Sequence, residues 1–387
     1  MPRKTRWHPS EEKDELVFAV CKRFLDQLGR QSDSQAAGEG GKKGAAAAVA
    51  EWLQEKKRRK DLTREKVYPF FREAVRRGFL VLRPPRNEDL TQRIRDTYHI
   101  GHSAGDDRSV QVIDVIRDEA IQHVTSAGAD VVLSLVEKIG RKKQPVHIGL
   151  GGGYSAMMVA RALASKVRSE PKCPSLVLHA LSAGGFLVDK PQRSPMTYFS
   201  YFDDALTDVE FVGLFSPTVA SYEDYDLVKD TPGVQDAFER AREIDIVVTS
   251  FARAQDEHGM LRQLIAYLTR KGRLPPDTIQ DALAEGWVGD VQFRPFDSEG
   301  PMLGRSPARA VTLFELEDLV KMAKTDGKYV VLLARPCGEC GQLKTEALRP
   351  LLTKPKLQLW THLVLDVDTA GALLRSPPAG DTADCGE

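Results

Sequence analysis

Three consecutive glycines, Gly151, Gly152 and Gly153, mark the stretch of the chain best suited to hold a ligand. They stand in VHIGLGGGYSAMMVARAL, where an apolar strand pattern changes at once into an apolar-periodic helix. Glycines lack a Cβ, so a ligand can reach backbone N–H groups, and the start of a helix favours an anion such as phosphate. The pattern is not a dinucleotide fingerprint, because Tyr154 stands at its third glycine, and no Lys-Ser/Thr pair follows as in a Walker A loop. A tight strand-to-helix turn without a ligand remains the alternative.

Two further groups of residues could do chemistry. Asp256 and His258 follow the apolar segment IDIVVTS and could carry protons, or they could lie in an exposed polar loop. Cys337 and Cys340 form a single CxxC without a second pair, and five cysteines in a chain this long do not form a disulfide framework. We therefore expect neither a metal ion nor a bound cofactor.

The composition indicates a substantial hydrophobic core and no membrane segment. The chain has 387 residues, of which 42% are hydrophobic, which suits two domains or one large domain with an appendage. No apolar run approaches the roughly 18 residues of a membrane span, and the first residues, MPRKTRWHPSEEKDE, lack the apolar core of a secretion signal. We therefore expect a cytoplasmic protein that does not bind a membrane.

A net charge of zero conceals a basic N-terminal part and an acidic remainder. Residues 1–86 contain 21 Lys and Arg against 12 Asp and Glu, whereas the rest of the chain contains 34 against 43. This asymmetry is typical of a protein in which only the basic part binds a polyanion such as nucleic acid. A solvated basic surface is an equally simple interpretation of the charge alone.

The first 85 residues have the pattern of a winged helix-turn-helix domain. Gly29 is predicted to end the first helix, and residues 29–44, rich in Gly, Ser, Gln and Lys, are predicted to be a flexible insertion. Thr63 is the predicted N-cap of the third helix and Gly78 its C-cap. The expected elements are helices over 11–28, 45–57 and 64–77 and a strand over 79–82.

From about residue 110 onward, strand patterns alternate with helix patterns. This order predicts an α/β domain with a mostly parallel sheet and helices on both faces, in which ligands bind beyond the carboxyl ends of the strands. The glycines at 151–153 lie at such an end. After a connecting helix at 86–99, strands are predicted at 110–115, 146–150, 175–181, 209–215, 244–250, 287–293, 328–334 and 361–366, and helices at 117–139, 154–167, 233–242, 257–271, 313–324, 342–352 and 368–375.

Several segments, in the same order, resemble the bacterial SorC-type transcriptional regulators of the DeoR-related group. Members of the family have a recognition helix, then a short strand, then a connecting helix. The segment REAVRRGFLVLRPPRNEDLTQRIRDTYHI resembles this part of the family. Its later motifs are similar to GLGGGYS (149–155), GWVGDVQFRPFDSEG (286–300), RPCGECGQLKTEAL (335–348) and LVLDVDTAGALL (363–374). The resemblance covers roughly residues 45–375.

The resemblance implies a DNA-binding regulator controlled by a sugar or sugar phosphate, with an effector domain related in fold to sugar-phosphate isomerases. The glycine loop and the Ser155 hydroxyl would then bind a phosphate or a sugar hydroxyl, Lys344 would supply a cation, and Asp290 would accept hydrogen bonds from sugar hydroxyls. The family also implies a homodimer or homotetramer. The expected effector-binding residues are Gly151, Gly152, Gly153, Tyr154, Ser155, Asp290 and Lys344.

Basic residues on and before the third helix are the candidates for binding a double-stranded DNA operator. The first residues of a recognition helix read base edges and flanking Lys and Arg hold phosphates, so Arg64 and Lys66 are predicted to contact bases. Arg76 and Arg77, near the end of the helix, are expected to be solvated and to complement the helix dipole. The expected DNA-binding residues are Lys57, Arg58, Arg59, Arg64, Lys66 and Arg72.

Three features depart from the family pattern. Pro69 falls inside the third helix and is expected to kink it at a cost of about 3 kcal/mol. Tyr154 and Ser155 stand where many phosphate-binding relatives have threonines. The segment LSAGGFLVDKPQRSP lacks the arginine that some relatives place before their paired glycines, and the nearby Arg193 matches no family position. These departures favour a sugar-like ligand over a specifically phosphorylated one.

The expected organisation has four parts: a DNA-binding domain at 1–85, a connecting helix and linker at 86–104, an effector-binding domain at 105–375 and a disordered tail at 376–387. An enzyme of the sugar-phosphate isomerase or deaminase kind, using Asp256 and His258, is the alternative, although it gives the basic N-terminal domain no task. A regulator that senses a partner protein instead of a sugar is a third hypothesis.

Overall fold

The chain folds into two compact units. A computed structural model describes residues 8–36, 44–57, 59–80, 83–102, 105–170, 172–184, 190–302, 304 and 308–376. Internal contacts separate Met1–Arg83, named the N-terminal unit, from Pro84–Glu387, named the C-terminal unit. Within the described ranges, no helix combines the length and the apolar character needed to span a membrane.

The described residues of the N-terminal unit form three helices, α1 (Asp14–Ala36), α2 (Ala45–Lys56) and α3 (Arg64–Arg76), preceded by a 3-10 turn at Pro9–Glu11. They close over one apolar cluster that includes the fully buried Leu53 and Phe70. The predicted strand at 79–82 is not formed at Phe79 and Leu80, because the N–H groups of both residues bond to the carbonyl of Ala74 and so cap α3. The other two residues of that strand lie outside the described part of the chain.

Two predictions about the end of the first helix and the segment after it are wrong. Gly29 does not end the first helix, because one glycine costs only about 1 kcal/mol in a helix interior and α1 continues to Ala36. Residues 29–36 of the predicted flexible insertion are therefore helical, and 37–43 lie outside the described residues, as do Arg58 and the predicted tail beyond residue 376. Pro69 lies inside α3, which runs through it without ending.

Arg76 and Arg77 are structural residues and not merely solvated cations at a helix end. Both bind the carboxylate of Glu73, which is 3% exposed. Arg77 also donates through Nη1 to the carbonyl of Glu12 at 2.8 Å and lies 2.6 Å from Asp14 Oδ1. Because a buried carboxylate needs cationic partners, these contacts tie the start of α1 to the end of α3.

The C-terminal unit is built on one mostly parallel sheet, which confirms the predicted α/β fold. Its strands are β1 (Ser109–Ile113), β2 (Val146–Leu150), β3 (Leu176–Ala180), β4 (Val209–Val212), β5 (Val219–Ala220), β6 (Ile246–Arg253), β7 (Gly289–Val291), β8 (Arg294–Phe296), β9 (Arg309–Ala310), β10 (Tyr329–Ala334) and β11 (His362–Asp366). Seven of them pair in parallel in the order β1-β11-β10-β6-β2-β3-β4. β7 and β8 extend the sheet from β6 in antiparallel pairs, and β5 pairs with β9.

Helices cover the sheet on both sides. They are α4 (Glu88–Thr97), α5 (Arg117–Gly140), α6 (Tyr154–Ser169), α7 (Tyr225–Lys229), α8 (Val234–Arg240), α9 (Met260–Arg270), α10 (Thr278–Ala284), α11 (Leu316–Ala323), α12 (Thr345–Thr353) and α13 (Val367–Arg375), with 3-10 segments at Pro191–Arg193, Pro195–Phe202 and Ala241–Glu243. The sheet separates two large apolar clusters, as expected for strands that are buried on both faces.

The predicted strand at 287–293 is instead a hairpin. Gln292 and Phe293 adopt left-handed conformations, with φ of 49° and 63°, and these reverse the chain between β7 and β8. The apolar run that predicted one strand therefore contains a turn without glycine. Neither α7, α10 nor the 3-10 segment Pro195–Phe202 was predicted.

Two histidines are buried on neighbouring strands of the sheet. Nδ1 of His147 on β2 lies 3.0 Å from Nε2 of His179 on β3. Burial, and next the charge of His147, lower the pKa of His179 to about 3. Burial also lowers the pKa of His147. Both rings are therefore neutral at pH 7.

We expect His179 to make the C-terminal unit sensitive to acid. The unfolded chain binds a proton at this histidine below about pH 6.5, but the folded chain does so only near pH 3, so stability falls as the pH falls through this window. In His179→Gln, the loss of free energy of unfolding between pH 7 and pH 5 should be about 2 kcal/mol smaller than in the wild type. Urea unfolding at the two pH values measures this difference. His102→Gln, at an exposed position, is the control, and equal losses in wild type and His179→Gln would contradict the argument.

Candidate functional site

A cleft lies where the carboxyl ends of three adjacent strands, β10, β6 and β2, meet. It encloses about 680 Å³ including its open mouth. Gly152 follows β2, Ala252 lies at the end of β6 and Arg335 follows β10, and all three line the cleft. Because parallel strands present their carboxyl ends at one edge of a sheet, residues far apart in sequence converge here.

The glycine loop, residues 151–153, joins β2 to the first turn of α6. Gly153 has φ of 103°, a left-handed conformation that favours glycine. The N–H of Gly151 donates to a carbonyl of β6 and that of Gly153 to the carbonyl of Arg193, both at 2.9 Å, so these two N–H groups hold the loop in place. The N–H groups of Tyr154 and Ser155 lack intrahelical acceptors, as at any helix start, and are the donors left for a ligand.

Arg335 places a buried positive charge beside this loop. The residue is 5% exposed, and its guanidinium donates from Nε to Ser155 Oγ at 3.1 Å and from Nη1 to the carbonyl of Pro336 at 2.6 Å. Burial lowers the pKa of Arg335 to about 10, so the group stays charged at pH 7. No carboxylate of a described residue lies within 4.0 Å of its nitrogens. An anion at the start of α6 would therefore be stabilised both by the helix and by this charge.

The ring of Tyr154 contacts two guanidinium groups. Its centroid is 5.3 Å from Cζ of Arg193 and 5.6 Å from Cζ of Arg335. Arg193 also forms an ion pair with Glu339 at 2.6 Å. Since cation–π contacts of this kind are attractive, Tyr154 helps to hold both cations beside the cleft.

Lys344 supplies a second, partly buried cation near the end of β6. Its Nζ donates to the carbonyl of Phe251 at 3.1 Å and lies 3.7 Å from Asp256 Oδ2. Burial, and next the charge of Arg335, lower the pKa of Lys344. The predicted helix at 342–352 begins only at Thr345, so Lys344 is the residue before α12.

Asp290 and Gln292 add buried polar atoms that no described residue satisfies. Oδ1 of Asp290 and both amide atoms of Gln292 lack hydrogen-bond partners among the described residues. Burial raises the pKa of Asp290 to about 7, although the charge of Lys344 opposes the rise. Buried polar atoms without partners cost free energy unless a ligand or water binds them. Both residues therefore suit a polar, hydrogen-bonding ligand.

The two acid–base candidates also line the cleft, but the fold already uses them. Oδ1 of Asp256 accepts the N–H of His258 at 3.0 Å and lies 3.5 Å from Cys337 Sγ. His258 Nδ1 lies 2.9 Å from an oxygen of Glu339. These contacts fix the loop between β6 and α9, so both side chains have structural roles.

Of the predicted DNA-binding residues, some are exposed and others are held within the N-terminal unit. Arg64 and Arg72 on α3 and Lys57 after α2 are exposed. Arg59 forms ion pairs with Glu12 and Asp61, and Lys66 donates to the carbonyl of Asp61 at 2.6 Å. Arg58 lies outside the described residues.

The structure brings most of the predicted effector residues together. Gly152, Gly153, Tyr154, Ser155, Asp290 and Lys344 all line the cleft, whereas a Cβ on Gly151 would lie 3.2 Å from Thr249 Oγ1, within the sheet. Sequence reasoning missed Arg335 and Gln292 and left Arg193 without a role. Arg335 directly follows a predicted strand, a signal that could have identified it. Gln292 depends on a left-handed turn that its residue type does not predict.

The chain is similar to sugar-binding regulators both in sequence family and in fold. A family model described as "Putative sugar-binding domain" matches residues 86–375. The structure resembles the full-length sorbitol operon regulator SorC of Klebsiella pneumoniae, with a TM-score of 0.60 and 14% identity over 94% of this chain and 100% of that one. It also resembles a DeoR family transcriptional regulator of Listeria monocytogenes, with a TM-score of 0.52 and 16% identity over 73% of this chain and 97% of that one. A transcriptional regulator of Streptococcus pneumoniae is similar as well, with a TM-score of 0.51 and 15% identity over 74% of this chain and 96% of that one. No curated protein sequence matches the chain.

Replacing Asp290 by Asn should stabilise the protein more at higher pH. Folded Asp290 keeps its proton up to about pH 7, whereas the unfolded chain loses it near pH 4, so the wild type loses stability as the pH rises through this window. The free energy of unfolding of Asp290→Asn minus that of the wild type should increase by on the order of 2 kcal/mol between pH 5 and pH 8. Urea unfolding at the two pH values measures this difference. Asp281→Asn, an exposed carboxylate on α10, is the control, and a pH-independent difference for Asp290→Asn would refute the buried, protonated carboxyl.

Proposed function

The chain belongs to the SorC-type family of sugar-binding transcriptional regulators, and we propose that it is a DNA-binding regulator whose C-terminal unit binds a sugar or sugar-phosphate effector. The cleft carries this proposal. It combines the buried charge of Arg335 at the start of α6 with the unsatisfied polar atoms of Asp290 and Gln292. A sugar phosphate offers one anionic group and several hydroxyls, which match these two sets of protein groups.

The two parts of such an effector would bind different sides of the cleft. The phosphate would accept hydrogen bonds from the N–H groups of Tyr154 and Ser155 and from Arg335, with the glycines allowing close approach. The hydroxyls would donate to Asp290 and bind the amide of Gln292, and Lys344 would donate to a ring or hydroxyl oxygen. Arg335, which sequence reasoning missed, strengthens the case for a phosphorylated effector.

Arg335→Gln should weaken the binding of a sugar phosphate more than that of the parent sugar. It removes a charge-assisted contact worth about 1.5–3 kcal/mol, which corresponds to about a 10- to 100-fold loss of affinity. Asp290→Asn should weaken both ligands. Titration calorimetry with a panel of pentose and hexose phosphates and their parent sugars measures this, and Arg161→Gln, an exposed arginine on α6, is the control. Unchanged binding of every ligand by Arg335→Gln would overturn this assignment.

The N-terminal unit is proposed to bind the operator through the exposed face of α3. Arg64, at the start of the helix, is placed to read base edges, and Arg72 and Lys57 to hold phosphates. Because Arg59 and Lys66 are held within the unit, we assign them to its stability and not to DNA contact.

Arg64→Ala should reduce the preference for a palindromic upstream fragment over random duplex by about 1–3 kcal/mol, because it removes a base contact. Lys57→Ala should weaken binding to both duplexes alike and make binding less dependent on salt. Anisotropy titrations at several salt concentrations measure both quantities, and Lys22→Ala, an exposed lysine on α1, is the control. The DNA-binding proposal would be wrong if the wild-type protein showed no salt-sensitive preference for the palindromic fragment.

We further infer that the protein acts in the cytoplasm as a homodimer or homotetramer. Paired recognition helices match palindromic half-sites. Effector control then requires that the ligand bind two arrangements of the assembly with different affinity. We infer no catalytic role for Asp256 and His258, since Lys344 and Cys337 contact the Asp256 carboxylate and Glu339 contacts His258 Nδ1.

A further inference from the structure

A cluster of two cysteines and one histidine lies at the cleft and is not used by the proposed effector site. The Sγ atoms of Cys337 and Cys340 and a ring nitrogen of His258 all lie within 4.8 Å of one another. The two cysteines follow β10, whereas His258 comes from the loop between β6 and α9. Sequence reasoning expected no metal because it found no second cysteine pair, but the fold supplies a third donor about 80 residues away in the sequence.

The backbone of residues 337–342, named the thiol turn, is shaped to present two sulfurs on one side. The Cys337 carbonyl accepts the N–H of Gly341 at 2.9 Å, and the Cys337 N–H donates to the carbonyl of Gln342 at 2.8 Å. Gly341 has φ of 68°, which lets the chain turn back immediately after Cys340. Burial raises the pKa of the Cys337 thiol, and hydrogen bonds from the N–H groups of Cys340 and Glu339 oppose the rise.

The histidine is held in place by a carboxylate of the same turn. His258 Nδ1 lies 2.9 Å from Glu339 Oε2, and Glu339 is itself fixed by Lys190 at 2.9 Å and Arg193 at 2.6 Å. A carboxylate that holds one imidazole nitrogen commonly orients the ring so that the other can bind a metal. Metal binding through His258 Nε2 would leave Nδ1 to Glu339, which would then orient the ring.

We infer that His258, Cys337 and Cys340 bind one Zn²⁺-type ion, with a fourth coordination position open to water or to an oxygen of a ligand in the cleft. Two sulfurs bound to one tetrahedral Zn²⁺ at about 2.3 Å are about 3.8 Å apart, which the observed cluster reaches with small side-chain adjustments. Two thiolates and an imidazole suit zinc, and they do not suit Mg²⁺ or Ca²⁺, which prefer oxygen ligands.

A redox-active disulfide between the two cysteines is the competing use of the same turn. It would need neither His258 nor the carboxylate that orients it, whereas a metal site explains both. The inference does not depend on the proposed regulatory function, because metal binding is measured without DNA or effector.

The test is metal binding by the full-length protein under reducing conditions. We expect one equivalent of Zn²⁺ per chain by elemental analysis, and with Co²⁺ the visible and near-ultraviolet bands of tetrahedral thiolate coordination. Cys340→Ser should abolish these bands, and because Cys340 is exposed the variant should keep the wild-type unfolding temperature. His258→Gln should weaken metal binding and shift the bands, and Glu339→Gln should weaken it by about ten-fold through loss of orientation.

Cys173→Ala, which removes a thiol elsewhere in the C-terminal unit, is the control and should bind Co²⁺ as the wild type does. A folded wild-type protein that binds no stoichiometric Zn²⁺ and shows no thiolate-to-cobalt band would overturn the inference. So would unchanged bands in Cys340→Ser. A third result would assign the thiol turn to redox chemistry instead. In that case the two cysteines form a disulfide, and the protein binds no metal after the disulfide is reduced.

Discussion

The burial of positive charge at the carboxyl edge of the sheet is the constraint on which the cleft depends. Moving a charged group from water into a protein interior costs several kcal/mol unless protein groups replace its hydration. Lys344 has the Phe251 carbonyl and, more distantly, the Asp256 carboxylate. Arg335 has a hydroxyl, a carbonyl and the ring of Tyr154, but no carboxylate of a described residue within 4.0 Å. The buried guanidinium of Arg335 therefore lacks an anionic partner among these residues, and an anion bound beside it would lower its free energy. The free energy released on pairing contributes to the affinity for the effector.

The parallel sheet makes this arrangement rigid. β6 lies between β10 and β2, and its Val248 is paired with both Val331 and Leu150. β2 ends at this level, whereas β10 continues to Ala334. The two outer strands are about 10 Å apart across the sheet. The long side chain of Arg335 bridges that gap to reach Ser155 at the start of α6.

The sequence predicted what depends on local pattern, and it failed where distant residues decide the outcome. Apolar runs located the seven parallel strands, and Asp290 and Lys344, which the family resemblance selected, line the same cleft as the glycine loop. The hairpin at Gln292 was missed because its left-handed conformation is set by packing and not by residue type. Arg59 was assigned to DNA because nothing local reveals Glu12, 47 residues away, which binds it.

The thiol turn and the glycine loop are joined through one residue. Arg193 binds Glu339 with its guanidinium and accepts the N–H of Gly153 with its carbonyl. Two thiols release two protons when they bind a divalent ion, so loading the turn leaves its net charge unchanged. Any effect of the ion on an anionic effector must therefore act through position. An ion bound to His258 would further restrain Glu339 and Arg193, which already hold the loop, and this would lower the ordering cost of effector binding. By linkage the effector would then tighten metal binding by the same factor.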